Sequence, residues 1–418
     1  VSAKLKIFVA LASYRDPQLP VTIADMLAKA KYPGMFNFGI CWQYDETEDI
    51  NQYDQQPNFR VSKHHYSESQ GLGWARDITF SLYNGEPLFL QLDSHHRFAQ
   101  DWDQMMLEDY YQSKEMSKKP VLSTYLTPFE NGQDPAQYEQ LPCLMSQYEF
   151  SSDKLLMSRP YHIMDYKTRT KVIRARTVSG HFLFAAGRFI ADVPYDPDIY
   201  FGGYTEETTM SVRAWTSGYD FFSPYRQYIW HEYTRHGRPK HWEDHGTESQ
   251  TKKTSGERDV YARKKTRQLF GQESHGIDMG RHGLGSARTL REYEVFGGFD
   301  FKNCRIQDYT LQVKEPPNPE DYDNQFISHK RELTVHWDTE FFRALNFDKP
   351  KVLTLGILNE SGSELYRKDF TAAVGVAELQ LQVAAHTATF YSESEPRKIL
   401  MYLLDEEKSW SPPYEKRI

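Results

Sequence analysis

An apolar run, Leu88-Phe89-Leu90-Gln91-Leu92, ends abruptly in Asp93-Ser94-His95-His96-Arg97. Asp93 and His95 are two positions apart. At a strand exit such residues lie on one side, so both can reach a single metal ion. Carboxylate oxygen with imidazole suits Mn²⁺ or Mg²⁺ better than a structural zinc, which favours thiolate. The competing reading is a polar loop in which Asp93 caps a following helix. Glu206 and Glu207 follow the glycine turn Phe201-Gly202-Gly203 and open an amphipathic segment. Adjacent carboxylates there are either a catalytic pair or a complement to the helix dipole. His231 ends the apolar run Gln227-Tyr228-Ile229-Trp230 and is either a third metal ligand or a structural histidine. Arg15 and Arg76 can grip phosphate with a guanidinium fork, or are simply solvated surface arginines.

Elements of two kinds must position these groups. Residues 6–11 read as a buried strand, followed by the turn-rich Ala12-Ser13-Tyr14-Arg15-Asp16-Pro17. Residues 22–30 carry Ile23, Met26, Leu27 and Ala30 at helical spacing, and Pro33-Gly34 stops them. Residues 36–42 and 59–62 are strands, 71–83 a helix, and 87–93 the strand that delivers Asp93. That order predicts an open, parallel α/β sheet. Ligands of such sheets bind outside the carboxyl ends of the strands, which places the Ser13–Asp16 loop at the edge occupied by Asp93. A helix over 101–119 and strands over 121–125 and 180–187 follow. A helix then runs from Glu206 through Met210, Val212, Ala214 and Trp215 to a stop at Gly218. Residues 127–170 are polar and give no order; an insertion of this kind often builds the acceptor side of a site. Residues 236–285 are basic and glycine-bearing, helical near 261–270. They read as a loop able to close over a diphosphate or as an ordinary solvated connection.

From about residue 306 the texture changes. Beyond Pro316-Pro317-Asn318-Pro319, alternating runs over 333–337, 351–355, 377–383 and 398–403 predict a small antiparallel, sandwich-like β domain. It shows no constellation that carries chemistry. The expected division is 1–305 and 306–418.

Composition narrows the function. The 418 residues, 39% hydrophobic and 26% charged, describe a globular chain with ample core. Aromatics reach 15%, either for packing or as platforms for sugars or bases. A net charge of −8 argues against nucleic-acid partners, which need a basic footprint. Cys41, Cys143 and Cys304 are far apart and form no metal-spaced pair, which fits a reducing, cytoplasmic setting. No apolar run approaches the ~18 residues of a spanning helix, and the first residues do not resemble a signal peptide.

With those residues assembled, the chain resembles a glycosyltransferase of the GT-A fold, a Rossmann-like, mostly parallel α/β domain. More narrowly it resembles the Skp1-hydroxyproline N-acetylglucosaminyltransferase family. The matching stretches are Ile7-Phe8-Val9-Ala10-Leu11-Ala12-Ser13-Tyr14-Arg15-Asp16-Pro17, the DXD-like Leu90-Gln91-Leu92-Asp93-Ser94-His95-His96-Arg97-Phe98, and Phe201-Gly202-Gly203 through Glu206-Glu207 to Trp215. Trp230-His231-Glu232-Tyr233 and Gly283-Leu284-Gly285-Ser286-Ala287-Arg288-Thr289-Leu290 extend the match. The resemblance implies that Asp93, His95 and His231 bind a divalent ion that bridges the diphosphate of UDP-N-acetylglucosamine. It implies that Ser13, Tyr14, Arg15 and Arg76, with Asp93, Ser94 and Gly203, hold the donor. Glu206 and Glu207 would face the donor sugar and the acceptor hydroxyl, of a glycan or a hydroxylated protein. The family looks retaining, so these acids would orient the reactants while the leaving phosphate takes the proton.

Two other readings compete. One is a non-catalytic carbohydrate-binding or scaffold protein on a degenerate transferase fold. The other is a metal-dependent hydrolase built on Asp93, His95 and His231, which gives no role to the acidic pair or to the Ser-Tyr-Arg-Asp loop.

Overall fold

The computed structural model describes residues 5–49, 51–200, 204–234, 237–246, 253–319, 330–345, 350–371, 383–392, 394–405 and 409–418. The chain forms two compact units, Val1–Asn324 and Gln325–Ile418.

Strand β1 (Ile7–Tyr14) is the spine of the first unit. Ile7, Val9 and Leu11 enter one hydrophobic cluster, Phe8 and Ala10 another. A strand buried on both faces must divide its side chains this way. Helix α1 (Gln18–Lys29) packs Leu19, Ile23 and Met26 into the first cluster. Strands β2 (Phe36–Tyr44) and β3 (Phe59–His65), helix α2 (Leu72–Ser81) and strand β4 (Leu88–Asp93) follow. Then come β5 (His96–Phe98), α3 (Trp102–Met116), β6 (Pro120–Leu122) and β7 (Thr127–Pro128). Residues 127–170, which the sequence leaves without order, contain an antiparallel hairpin of β8 (Cys143–Phe150) and β9 (Leu156–His162). The unit continues with β10 (Ile173–Ala175), β11 (Phe182–Ala186), α4 (Phe189–Asp192), α5 (Tyr204–Thr216), β12 (Asp220–Ser223), β13 (Ile229–His231), α6 (His241–Asp244) and α7 (Ser255–Leu269).

The main sheet has eight strands in the order β10-β12-β6-β11-β4-β1-β2-β3. The pairs β1/β2, β1/β4, β2/β3 and β6/β12 are parallel, while β11 is antiparallel to both β4 and β6. This is a mixed, mostly parallel α/β sheet.

One local expectation changes. Ala12, Ser13 and Tyr14 are strand, not loop, because β2 continues alongside and pairs them with Cys41, Trp42 and Gln43. The chain turns only at Arg15, whose φ is 44°. His231 does not lie on the edge of the main sheet. It ends β13, in a second sheet of order β5-β13-β7, where His231 faces His96 across an antiparallel pair.

The second unit has a two-stranded sheet of Lys330–Asp338 and Val383–Tyr391. Its five-stranded sheet centres on Pro350–Leu358 and Lys398–Asp405, flanked by Glu364–Thr371 and two short C-terminal strands. Val335 and Trp337 of the first sheet share a core with Leu353, Leu355, Ile399 and Met401 of the second. The run expected over 377–383 lies largely outside the described residues.

Trp102 joins three elements of the first core. It is fully buried, stacks on Phe36 with centroids 5.3 Å apart, and donates its indole N–H to Met26 O at 3.0 Å. Trp102→Ala is expected to lower the urea unfolding free energy of the first unit by about 3–5 kcal/mol.

Candidate functional site

The chain leaves the main sheet at Asp93. Two hydrogen bonds from α1 fix that exit: the Thr22 hydroxyl donates to Ser94 O at 2.8 Å and accepts from His96 N–H at 3.0 Å. The resulting corner points Asp93 and His95 toward His231 on the neighbouring sheet. One ligand atom from each of Asp93, His95 and His231 lies within 4.8 Å of the others. His231 Nε2 is 3.1 Å, and His95 Nε2 3.8 Å, from Asp93 Oδ2.

The protonation states suit a cation. His95 donates Nδ1–H to Asp16 Oδ2 at 2.7 Å, which turns Nε2 toward the Asp93 carboxylate. Such a carboxylate behind a histidine fixes its tautomer and raises its basicity as a ligand. Asp16 also accepts from the Ser94 hydroxyl at 2.6 Å and from Arg238. Burial alone would raise its pKa, but His95 and Arg238 hold it well below the carboxylate range. Burial opposes ionisation of Asp93 too, yet Arg76 and His231 keep it ionised. Burial and the neighbouring histidines hold His231 neutral. Its Nδ1 is buried without a hydrogen-bond partner among the described residues. Two imidazoles and an ionised carboxylate, with one ligand atom from each within 4.8 Å of the others, fit a divalent ion of the Mn²⁺ class.

His96 is turned aside. Its Nδ1 is 3.0 Å from Asp93 O, and burial lowers its pKa to about 3. The ring packs 4.9 Å from His231 as a wall of the corner.

Arg76 stands behind Asp93. It is completely buried, because it occupies the inward face of α2 between Gly73 and Phe80, which are also buried. It donates to Asp93 Oδ1 at 2.5 Å, Leu92 O at 2.9 Å and Gly180 O at 2.9 Å. Its Nε lies 3.7 Å from Glu206 Oε1. The guanidinium thus faces inward and links the metal carboxylate to the acidic pair. Glu206 is buried, accepts from the Tyr195 hydroxyl, and has its pKa raised by burial to about 7. Glu207, one step along α5, keeps some exposure and accepts Gly180 N–H at 3.1 Å. Burial and the Glu206 charge raise its pKa to about 8. A Cβ at Gly180 would sit 2.5 Å from Glu206 Oε2, so a larger residue there would displace the Glu206 carboxyl.

Ser13, Tyr14 and Arg15 lie at the end of β1. Ser13 is buried with its hydroxyl unpaired among the described residues. The Tyr14 hydroxyl donates to Asp244 Oδ2 at 2.6 Å. Arg15 donates to Asp45 and Asp244, both at 3.0 Å, and its guanidinium lies 4.3 Å over the Tyr66 ring. Ser94 faces Asp16 rather than open space. Gly203 and its turn lie outside the described residues. In the basic stretch after residue 236, Gly285 donates its N–H to Thr216 Oγ1 at 2.8 Å and so packs on the C-terminal end of α5.

Sequence reasoning gave no role to Asp16, Arg238, Glu232, His181 or Tyr233. Arg238 ties Asp16 to Glu232. His181 stacks on His231 at 4.6 Å and 18°. The signal available for Asp16 was its place in the Ser-Tyr-Arg-Asp stretch. Tyr233 closes the matched Trp230-His231-Glu232-Tyr233 stretch and His181 lies in the apolar run over 180–187, and neither carries a spacing of its own.

A family model described as Glycosyltransferase (GlcNAc) matches residues 6–57 and 51–303. Among solved structures, S. aureus TarS 1–349 in complex with UDP-GlcNAc shares 15% identity, with 56% of this chain and 60% of that chain covered and a TM-score of 0.36. GalNAc-T7 with UDP, GalNAc and Mn²⁺ shares 15% identity, with 56% of this chain and 45% of that chain covered and a TM-score of 0.42. The matched region therefore spans three fifths or less of those chains. A comparison with curated proteins finds no match.

Mn²⁺ titration calorimetry in the presence of UDP tests the corner. Asp93→Ala, His95→Ala and His231→Ala are expected to abolish metal-linked UDP binding, and His96→Ala to spare it. Asp16→Asn should weaken metal binding roughly 10–100-fold, the usual cost of losing a hydrogen-bonded carboxylate behind a ligating histidine.

The acidic pair makes a second prediction. Glu206 titrates at about 7 in the folded chain and at the ordinary 4.5 when unfolded. The folded state thus binds more protons between those values, so stability falls as pH rises through that window. Thermal melts of metal-free protein should show this decline between about pH 5 and 8, flattened in Glu206→Gln. A decline of equal slope in the variant would contradict the assignment.

Proposed function

We propose, for a chain that belongs to the GlcNAc glycosyltransferase family, that it transfers N-acetylglucosamine from UDP-GlcNAc to an acceptor hydroxyl, with retention at the anomeric carbon. The observation that carries this reading is the convergence of Asp93, His95 and His231 beside an acidic pair, at the carboxyl end of β4. The ordered motifs also support a relation to the Skp1-hydroxyproline enzymes, and so an acceptor on a protein or a glycan. Three unpaired cysteines support a cytoplasmic setting. No helix among the described residues is long and apolar enough to cross a membrane.

The residues divide the work as follows. Asp93, His95 and His231 hold a divalent ion, Mn²⁺ or Mg²⁺, which when bound neutralises charge developing on the UDP leaving group. Asp16 holds the His95 tautomer. Arg76 keeps Asp93 ionised and in register, a positioning role rather than a direct grip on phosphate. Ser13, Tyr14 and Arg15 bind the nucleotide end of the donor. Of the two acids, Glu207 is the one open to the reactants. It orients donor sugar and acceptor hydroxyl, while Glu206 anchors Arg76 from behind.

Turnover of UDP-GlcNAc, followed as UDP release, checks this division. Glu207→Gln should lower kcat by about 100-fold or more with little change in UDP affinity, in the range of a lost acid–base or orienting carboxylate. Unchanged kcat in Glu207→Gln would remove Glu207 from the chemistry.

A further inference from the structure

Beside the metal corner lie two tyrosines outside the hydrophobic clusters of the first unit. Tyr125 follows β6 and Tyr233 follows β13. Their rings are parallel, 5.0 Å apart at 7°. Both retain solvent exposure, and neither belongs to a hydrophobic cluster of the unit. The Tyr233 ring stands edge-on to His231 at 4.3 Å. Its hydroxyl donates to Leu126 O at 2.7 Å, which fixes the ring. His181 packs against both tyrosines, at 5.5 and 5.6 Å, with its ring at 83° to each. The adjoining Gly180 N–H is held by Glu207. The tyrosine pair is therefore bracketed by a metal ligand on one side and the open acid on the other. Tyr204, 38% exposed, opens α5 one turn before Glu207, on the same face.

Partly exposed aromatic rings next to a carboxyl group match a particular chemistry. A pyranose has an apolar C–H face that lies on an aromatic ring and a rim of hydroxyls that donate to a carboxylate. Tyrosine offers that apolar face with a polar edge. A peptide that added here as a β-strand would instead need free main-chain groups to pair with. Here those groups are taken: Leu126 N–H by His181, Leu126 O by Tyr233, Gly180 N–H by Glu207, and Gly180 O by Arg76 and Gln91.

We propose that Tyr125 and Tyr233, with Tyr204 at the rim, form the acceptor subsite, and that its occupant is a sugar ring stacked on the tyrosine pair with a hydroxyl directed to Glu207. This rests on the transferase reading above, and it makes the substrate class a glycan rather than a hydroxylated protein.

Saturation-transfer NMR on the full chain with UDP and Mn²⁺ tests it. The probes are methyl glycosides of glucose, galactose, mannose and N-acetylglucosamine, and a hydroxyproline-containing peptide. Ring C–H protons of at least one glycoside should receive saturation. The effect should be lost in Tyr125→Ala, reduced in Tyr204→Ala and retained in Tyr125→Phe, with the glycoside Kd raised at least tenfold in Tyr125→Ala. Tyr204→Ala, at an exposed position, keeps the test valid should Tyr125→Ala fold poorly. UDP signals in the same spectra separate two kinds of failure. No UDP signal in the wild type overturns both readings. A UDP signal with no glycoside signal, with a glycoside signal indifferent to both alanine variants, or with saturation of the peptide alone overturns the acceptor subsite and leaves the transferase reading standing.

Discussion

The buried Arg76 guanidinium is the interaction on which the rest of the site depends. A cation taken fully out of water persists only when paired and hydrogen-bonded, and removing one partner from such a pair typically costs about 3–5 kcal/mol. Here the partners come from three places: the Asp93 carboxylate and Leu92 O at the end of β4, Gly180 O just before β11, and Glu206 on α5. One side chain therefore sets the spacing between the metal corner and the acidic pair. It also divides their electrostatics. Asp93 stays ionised beside the guanidinium, while burial pushes Glu206 and Glu207 toward the neutral form.

The metal corner itself comes from the meeting of two sheets. Strand β4 must end at Asp93 because the Thr22 hydroxyl pulls Ser94 and His96 into a bend. The chain re-enters extended structure at His96, now in the small sheet, directly across from His231. The same pairing that brings His231 near sends His96 into the wall. The histidine rings crowd one another in a dry setting, with His96 and His181 held neutral at about 3 and 4 by burial. A cluster of neutral imidazoles around an anionic oxygen has a ready use for one cation.

The sequence made the strands of the main sheet legible where both faces are apolar, as at residues 7–11 and 88–92. It made Asp93, His95 and His231 legible as residue types at strand ends. Four features resisted, each for a physical reason. Asp16 acts on His95 across 79 positions of sequence, a distance that local pattern does not span. Arg76 reads as a phosphate-gripping or solvated surface arginine because charge suggests exposure. Yet its spacing from Gly73 and Phe80 puts it on the apolar face of α2, and that was the available signal. The β8–β9 hairpin was hidden because its outer face is polar and its strands pair only with each other, so no hydrophobic alternation stands out. The end of β1 was misjudged because small polar residues at 12–14 suggest a turn, while a partner strand on one side was enough to keep them extended.

The most direct measurement is a crystal structure of the full chain with UDP and Mn²⁺, with the ion located by its anomalous scattering. The account predicts one manganese peak bound by Asp93 Oδ2, His95 Nε2 and His231 Nε2 and touching the UDP diphosphate, with His96 out of contact. A manganese peak held by other residues, or UDP bound with no ion at the three, would contradict it.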